Sequence, residues 1–152
     1  MTLRIGRKAT AALTASVLLW GLAAVPAMAE DAWVSSLTNA GKGFSSRWWT
    51  DTRSDTSSTR VRFSSCEGGS NSNYLVKKVR LTLWRDNGIF PDFNHGDVTS
   101  LCDNELASWG RMEYKGSYQW TVGNMYVDYL GAGDYAWIPG GRVTVPRVST
   151  GY

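Results

Sequence analysis

Few residues of this chain could carry acid–base catalysis. His95 is the only histidine and lies in the turn-rich segment Phe93–Asp97, whereas a serine-type catalytic triad needs a histidine base beside its nucleophile. The sequence contains no G-x-S-x-G elbow, no H-E-x-x-H pair and no glycine-rich phosphate loop. A lone histidine in such a segment is most often a solvated surface residue. We therefore predict no catalytic residues and a protein that is not an enzyme.

Four carboxylates follow one another closely after residue 91: Asp92, Asp97, Asp103 and Glu105. Paired acids can serve glycoside hydrolysis, and oxygen donors at alternate positions from Asp92 resemble a calcium-binding loop. The pattern departs from an EF-hand, because Asp97 takes the sixth position, where the sharp turn needs glycine, and Asp103 replaces the final glutamate. We predict no metal and no other cofactor, and calcium binding in the loop 92–103 stays open.

The first 29 residues have the three parts of a secretory signal peptide. Arg4, Arg7 and Lys8 form a positive start, an apolar stretch covers residues 9–24, and Ala27-Met28-Ala29 supplies a small-residue cleavage site. The apolar stretch is short for a membrane anchor. We predict a signal peptide over residues 1–29 and a secreted, extracellular protein.

Signal removal changes the charge balance. It takes three of the 16 Lys and Arg residues and none of the 13 Asp and Glu residues, so the mature chain is formally neutral. Binding to nucleic acid depends on a net or clustered excess of Lys and Arg. We therefore predict neither a nucleic acid nor a membrane as partner.

Export also decides the state of the two cysteines. Cys66 and Cys102 are the only ones in the chain, and an oxidising destination favours one structural disulfide over a metal pair or a reactive thiol. We predict that they are bonded. A loop of this length gives roughly 3 to 4 kcal/mol of stabilisation in the chain-entropy treatment.

Short alternating segments separated by turn signals begin at about residue 59. In the first of them, Val61 and Phe63 alternate with arginines, and in the second, Val79 and Leu81 alternate with polar residues, as half-buried strands do. Similar segments follow at about 112–114, 118–122, 125–130, 135–138 and 142–148. We predict an all-β domain over residues 59–152, a small antiparallel sandwich or barrel of six to seven strands.

Details of these strands depend on turn chemistry. The start of the strand that contains Val79 and Leu81 is out of phase with the rest, because Leu75 and Val76 adjoin the pair Lys77-Lys78. This predicts a bulge near these residues. Residues 86–101 are expected to form a turn and a long loop, residues 102–111 a short helical turn, and residues 115–117 a hairpin turn. Pro146 lacks an amide donor, so the last strand should lie at an edge or bend there.

Residues 30–58 differ from this domain in composition. They are rich in Ser, Thr, Asp, Asn and Gly and lack sustained alternation, yet they contain three tryptophans. Their apolar residues are too few and too aperiodic to build a core of their own. We predict an extended aromatic arm, which either folds back onto the β domain or anchors in a partner protein.

We adopt partner docking as the prediction, because tryptophan is enriched among binding hot spots. The expected partner-binding residues are the apolar residues of the arm with one arginine at their polar rim: Trp33, Val34, Leu37, Phe44, Arg47, Trp48 and Trp49. By contrast, Trp84, Trp120 and Trp137 lie on strand patterns and are expected in the core or half-buried.

This layout resembles the small adaptor subunits of actinobacterial umbrella toxin particles. The features that carry the resemblance are the signal peptide, the aromatic arm from Trp33 to Trp49 and the single-disulfide β core. The resemblance implies an exported adaptor whose N-terminal strap joins a lectin-like subunit to a stalk-bearing toxin. It assigns no role to any single residue.

We therefore predict a secreted, non-enzymatic adaptor or accessory subunit that docks through its arm to a larger secreted protein or toxin-type complex. The alternative is a secreted enzyme inhibitor or a carbohydrate-binding module. Either would use Trp and Tyr residues on a sandwich face or a loop such as residues 86–96.

Overall fold

The computed structural model describes residues 31–70, 72–129 and 132–152, so the predicted signal peptide lies outside the described residues. The regular elements in these ranges are all β-strands, and no helix in them is long and apolar enough to cross a membrane.

The strands form two five-stranded antiparallel sheets. Their bounds are β1 Ala32–Gly41, β2 Trp49–Asp51, β3 Thr59–Phe63, β4 Glu67–Gly68, β5 Tyr74–Arg85, β6 Phe93–Leu101, β7 Leu106–Gly110, β8 Gly116–Tyr129, β9 Tyr135–Ile138 and β10 Arg142–Gly151. The first sheet has the order β1-β10-β3-β7, with β4 paired to β10, and the second has the order β2-β8-β5-β6, with β9 paired to β8. The predicted all-β antiparallel sandwich is confirmed.

The core lies between the two sheets. The inward side chains predicted from alternation have no exposed surface: Val61, Phe63, Val79, Leu81, Leu83, Val143 and Val145. Complete burial of such a side chain contributes about 1.5–3 kcal/mol. The predicted core residue Trp120 also lies here, and its indole N–H donates a 3.1 Å hydrogen bond to Oγ1 of Thr150. The polar end of this large ring is therefore satisfied inside the core.

The predicted disulfide is confirmed. Cys66 follows β3 of the first sheet, Cys102 follows β6 of the second, and their Cα atoms are 5.1 Å apart. The bond therefore links the two sheets covalently, beside the edge of the second sheet that β6 forms.

The bulge expected near the start of β5 is present at Lys77. Val76 pairs with Val127 and Lys78 pairs with Tyr126, so Lys77 is the extra residue. Its ammonium group lies 3.9 Å from the carboxylate of Asp128.

The expected edge position of the last strand is wrong, although a bend is present. β10 lies inside the first sheet, between β1 and β3. Leu37 pairs with Val145 and Ser35 pairs with Val148, so β10 has one residue more than β1 between these pairs. Pro146 lies in this bulge, where its missing donor breaks no regular ladder bond.

The prediction of an extended arm separate from the β domain is also wrong. Residues 32–41 form β1, which pairs with β10 along its whole length, and residues 49–51 form β2 on the second sheet. The buried side chains of β1 are Trp33, Leu37 and Ala40. Two register shifts give them spacings of four and three rather than two. Because of these bulges, the apolar residues of β1 do not alternate regularly in the sequence.

Three local predictions between residues 86 and 117 are also corrected. The long loop is largely strand β6, the helical turn is strand β7, and residues 111–115 carry the chain from the first sheet to the second instead of forming a hairpin. β6 and β7 are edge strands. β6 and β7 have one buried residue each, Ser100 and Ala107, so their sequences show weak alternation.

The two ends of the described chain lie together. The N–H of Asp31 donates to the carbonyl of Tyr152 at 3.3 Å, and the N–H of Tyr152 donates to the carbonyl of Asp31 at 3.2 Å. The Tyr152 hydroxyl also donates to the carboxylate of Asp31 at 2.9 Å. These bonds continue the ladder between the first and the last strand.

Candidate functional site

Three of the seven predicted partner-binding residues belong to the core. Trp33 stacks on Trp120, with ring centroids 6.3 Å apart, and Trp49 stacks between Tyr118 at 6.3 Å and Tyr152 at 5.6 Å. The third, Leu37, is buried as well. These side chains contribute to the stability of the sandwich and are covered by the protein itself.

The other four predicted residues are exposed. Val34, Phe44 and Trp48 leave much of their apolar surface in contact with solvent, and the guanidinium of Arg47 lies 4.7 Å from the ring centre of Trp33. Together with Trp33, most of them line a shallow pocket of about 200 Å³. The structure thus divides the seven predicted residues into three that are buried and four that are exposed.

Backbone hydrogen bonds hold the connection between β1 and β2 in place. The N–H of Gly43 donates to the carbonyl of Val122 at 2.8 Å, and the N–H of Ser46 donates to the carbonyl of Trp120 at 2.9 Å. Residues 42–48 thereby run from an edge of the first sheet to an edge of the second. To act as a free strap, this segment would have to leave both sheets.

A different exposed apolar surface lies at the turn between β5 and β6. Ile89 is 96% exposed and Phe90 is 65% exposed. The turn is built by Asp86, whose carboxylate accepts a 2.8 Å hydrogen bond from the N–H of Gly88, and Gly88 has a φ of 67°, which favours glycine. This turn directs two large apolar side chains into solvent. We call residues 86–92 the β5–β6 turn.

An arginine supports the base of this turn. The Arg85 guanidinium lies 4.7 Å from the ring centre of Tyr114 and 5.4 Å from that of Phe93. Both rings are about half exposed. Cation–π contacts of this kind are worth about 0.5–1 kcal/mol at exposed sites. Phe93 and Tyr114 thereby add aromatic surface next to the β5–β6 turn, and Arg85 contacts both rings.

His95 is half-buried beside this surface, which corrects the expectation of a solvated side chain. Its ring lies 4.8 Å from Phe93 and 5.5 Å from Tyr118. Burial, followed by the positive charge of Arg85, lowers the pKa of His95, so the imidazole is neutral near pH 7. Its Nε2 is buried and has no hydrogen-bond partner among the described residues. The imidazole of His95 therefore packs against Phe93 and helps to hold that ring in place.

The neighbouring carboxylates do not gather around one point. Asp97 accepts a 2.6 Å hydrogen bond from the hydroxyl of Thr82, and Asp103 accepts a 3.1 Å bond from the N–H of Glu105. Asp97 lies on strand β6, in the segment for which the sequence leaves calcium binding open. In residues 31–70, 72–129 and 132–152, no three His, Cys, Asp or Glu side chains are grouped as metal ligands.

Sequence reasoning assigned the docking role to the N-terminal segment and left the β5–β6 turn as a minor alternative. A signal for the turn is present in the sequence, since Ile89-Phe90-Pro91 forms an apolar run between Asp86 and Asp92. Such a run inside turn residues has no strand face to cover it. It therefore predicts exposed apolar side chains.

No family model, curated protein or solved structure matches the chain. The resemblance in layout to umbrella toxin adaptors accordingly stays a prediction.

Proposed function

We propose that this protein is an exported, non-enzymatic accessory subunit that docks to a larger extracellular protein through the β5–β6 turn. The observation that carries the proposal is the exposure of Ile89 and Phe90, at 96% and 65%, on a turn fixed by its own hydrogen bonds. Contiguous exposed apolar side chains mark interaction sites in soluble proteins. A pre-ordered turn also loses little entropy when it binds.

The surroundings of the turn suit a protein interface. Arg85, Phe93 and Tyr114 place an arginine and two aromatic rings at the base of the turn, and aromatic and arginine side chains are enriched in binding hot spots. Asp86 and Asp92 flank the tip with charges, as the polar rim of an interface does. The turn thus supplies both an apolar centre and a charged rim.

The N-terminal segment has a smaller role in this proposal than the sequence predicted. Val34, Phe44, Arg47 and Trp48 are exposed and can extend the contact with a partner. Docking through a released arm has less support, because release would uncover Trp33 and break the pairing of β1 with β10.

A secreted enzyme inhibitor is the second candidate, and the same turn favours it. A rigid loop with an apolar tip fits a cleft as well as it fits a flat subunit surface. The identity of the captured partner separates the two functions, since an inhibitor binds an enzyme and an accessory subunit binds a structural or toxin chain.

Site-specific photo-crosslinking in the secreting culture tests the proposal. A photoreactive amino acid replaces Phe90, or Trp48 on the N-terminal segment, or Leu75 at the opposite end of β5, about 30 Å from the turn by strand length. Ile89→Ser/Phe90→Ser, with an unchanged melting temperature, tests the contribution of the apolar tip to partner retention.

The expected result is one defined adduct from position 90, none from position 75, and loss of the partner from the double variant. An adduct from position 48 without one from position 90 would return the docking role to the N-terminal segment. Absence of adducts from both positions contradicts the proposal.

A further inference from the structure

Three aromatic side chains lie side by side on the outer face of the second sheet. The ring of Tyr126 is 5.7 Å from that of Tyr135, with planes 9° apart, and 5.3 Å from that of Trp137, with planes 52° apart. Tyr135 is 53% exposed and Trp137 is 40% exposed. We call Tyr126, Tyr135 and Trp137 the aromatic platform.

Strand pairing positions the platform. Tyr126 of β8 pairs with Trp137 of β9, and the residues on either side of Tyr126, Met125 and Val127, are completely buried. Because neighbouring residues of a strand point to opposite faces, Tyr126 and its partner are directed outward. The platform therefore rests on two hydrogen-bonded strands and is already ordered before any ligand binds.

Two cations from β5 border the platform. The guanidinium of Arg80 lies 4.9 Å from the ring centre of Trp137, and the ammonium of Lys78 lies 5.4 Å from that of Tyr126. In the described part of the chain, no carboxylate lies within 4.0 Å of either cation.

The platform continues into a depression of about 350 Å³. Its lining combines apolar, hydroxyl and charged groups: Lys78, Thr99, Leu101, Glu105, Leu106 and Trp137. Trp137 of the platform and Lys78 at its border both line this depression. Small-molecule sites typically combine aromatic walls with a few polar groups of this kind.

We propose that the aromatic platform and this depression form a binding site for an anionic polysaccharide. The C–H faces of pyranose rings are apolar and can stack on Trp137 and Tyr135, while the ring hydroxyls can bond to Thr99 and Glu105. The carboxylate substituents of such a polymer pair with Arg80 and Lys78. The site lies on a different surface from the β5–β6 turn and does not rest on the function proposed above.

The geometry favours this ligand over two others. A nucleic acid would need a longer series of phosphate contacts than two cations supply. A flat crystalline polymer would need coplanar rings, whereas Tyr126 and Trp137 are inclined by 52°. A single, flexible, negatively charged sugar chain needs only a few cations and can follow aromatic rings that are inclined to one another.

Affinity electrophoresis of the disulfide-bonded chain tests the proposal. The gels contain polygalacturonate, alginate or hyaluronate, with fully methyl-esterified polygalacturonate as the neutral match. The variants are Trp137→Ala, Tyr135→Ala and Arg80→Gln, and Lys115→Gln, which removes an exposed cation away from the site, is the charge control. Thermal melts followed by circular dichroism establish that each variant is folded.

We expect retention by at least one acidic polymer, about tenfold weaker binding in Trp137→Ala and in Arg80→Gln, and no change in Lys115→Gln. We also expect weak retention by the methyl ester. Lack of retention in all the acidic gels would overturn the proposal, as would binding that Trp137→Ala leaves intact. Equal binding of acid and ester, unaffected by Arg80→Gln, would overturn the anionic assignment.

Discussion

Trp33 of the N-terminal segment and Trp137 of β9 each contact an arginine, but Trp33 is buried and Trp137 is exposed. Each has an arginine over its ring, with Arg47 at 4.7 Å and Arg80 at 4.9 Å from the ring centre. Trp33 faces the opposite sheet and is 9% exposed, whereas Trp137 faces outward and is 40% exposed. The arginine contact is common to both, so the sheet face decides whether an indole stabilises the fold or is accessible to a ligand.

The largest expected effect is the difference in stability between alanine variants at these two positions. Trp33→Ala removes the stacking on Trp120 and leaves a cavity, which should cost about 3–5 kcal/mol of the free energy of unfolding. Trp137→Ala should cost less than about 1 kcal/mol, because most of what it removes contacts solvent and other outer side chains. Urea unfolding followed by far-ultraviolet circular dichroism measures both values. Similar losses at the two positions would contradict the assignment of Trp33 to the core.

A second comparison concerns two connections between the sheets. Residues 42–48 join them through the backbone and its hydrogen bonds, whereas Cys66 and Cys102 join them through a side-chain disulfide. Replacing both cysteines by alanine should lower the free energy of unfolding by roughly 3 to 4 kcal/mol, since the unfolded chain gains entropy. Urea unfolding of three samples measures this loss: the double variant, the disulfide-bonded protein and the same protein after reduction. A loss below about 1 kcal/mol would contradict the expected stabilisation by the disulfide.

The smallest expected effect is a pH dependence at His95. Burial lowers the pKa of His95 below its usual 6.5 in the folded state, so the unfolded chain binds a proton at a higher pH than the folded one. Its contribution to stability is present above pH 6.5 and decreases as the pH falls through the lowered folded pKa. His95→Gln should flatten the stability profile in this range.

Asp31 provides a check on this assignment. The hydrogen bond from the N–H of Ala32, the largest cause, lowers the pKa of Asp31 below its usual 3.8, so this group affects stability only at more acidic pH. Urea midpoints measured from pH 7 to pH 5 therefore report on His95. An identical slope in His95→Gln would exclude His95 as its source.

Regular alternation made the central strands predictable. β3, the part of β5 from Val79 to Leu83 and the first half of β10 place one apolar residue on every second position, and each of these positions is buried as expected. The same rule failed for β1, where two bulges change the spacing between Trp33, Leu37 and Ala40. A bulge depends on how two strands pair, so a pattern read within one strand does not reveal it.

The candidate sites show the same limit. The apolar tip at Ile89 and Phe90 can be recognised from turn residues alone, since no strand is available to cover it. The aromatic platform cannot, because it requires the pairing of Tyr126 with Trp137 and the placement of Arg80 on a third strand. A shift of one residue in that register would turn these rings to the other face of the sheet.

The pairing of Asp31 with Tyr152 makes the described chain almost a closed ring. A short peptide joining these two residues would bridge neighbouring backbones, and a new opening could be cut in the exposed turn at Gly140. Such a circularly permuted molecule should keep both sheets. The joined residues already lie side by side, and an exposed turn tolerates a new chain break. Proteins fused at residue 140 would then lie at the opposite end of the strands from Asp31 and Tyr152.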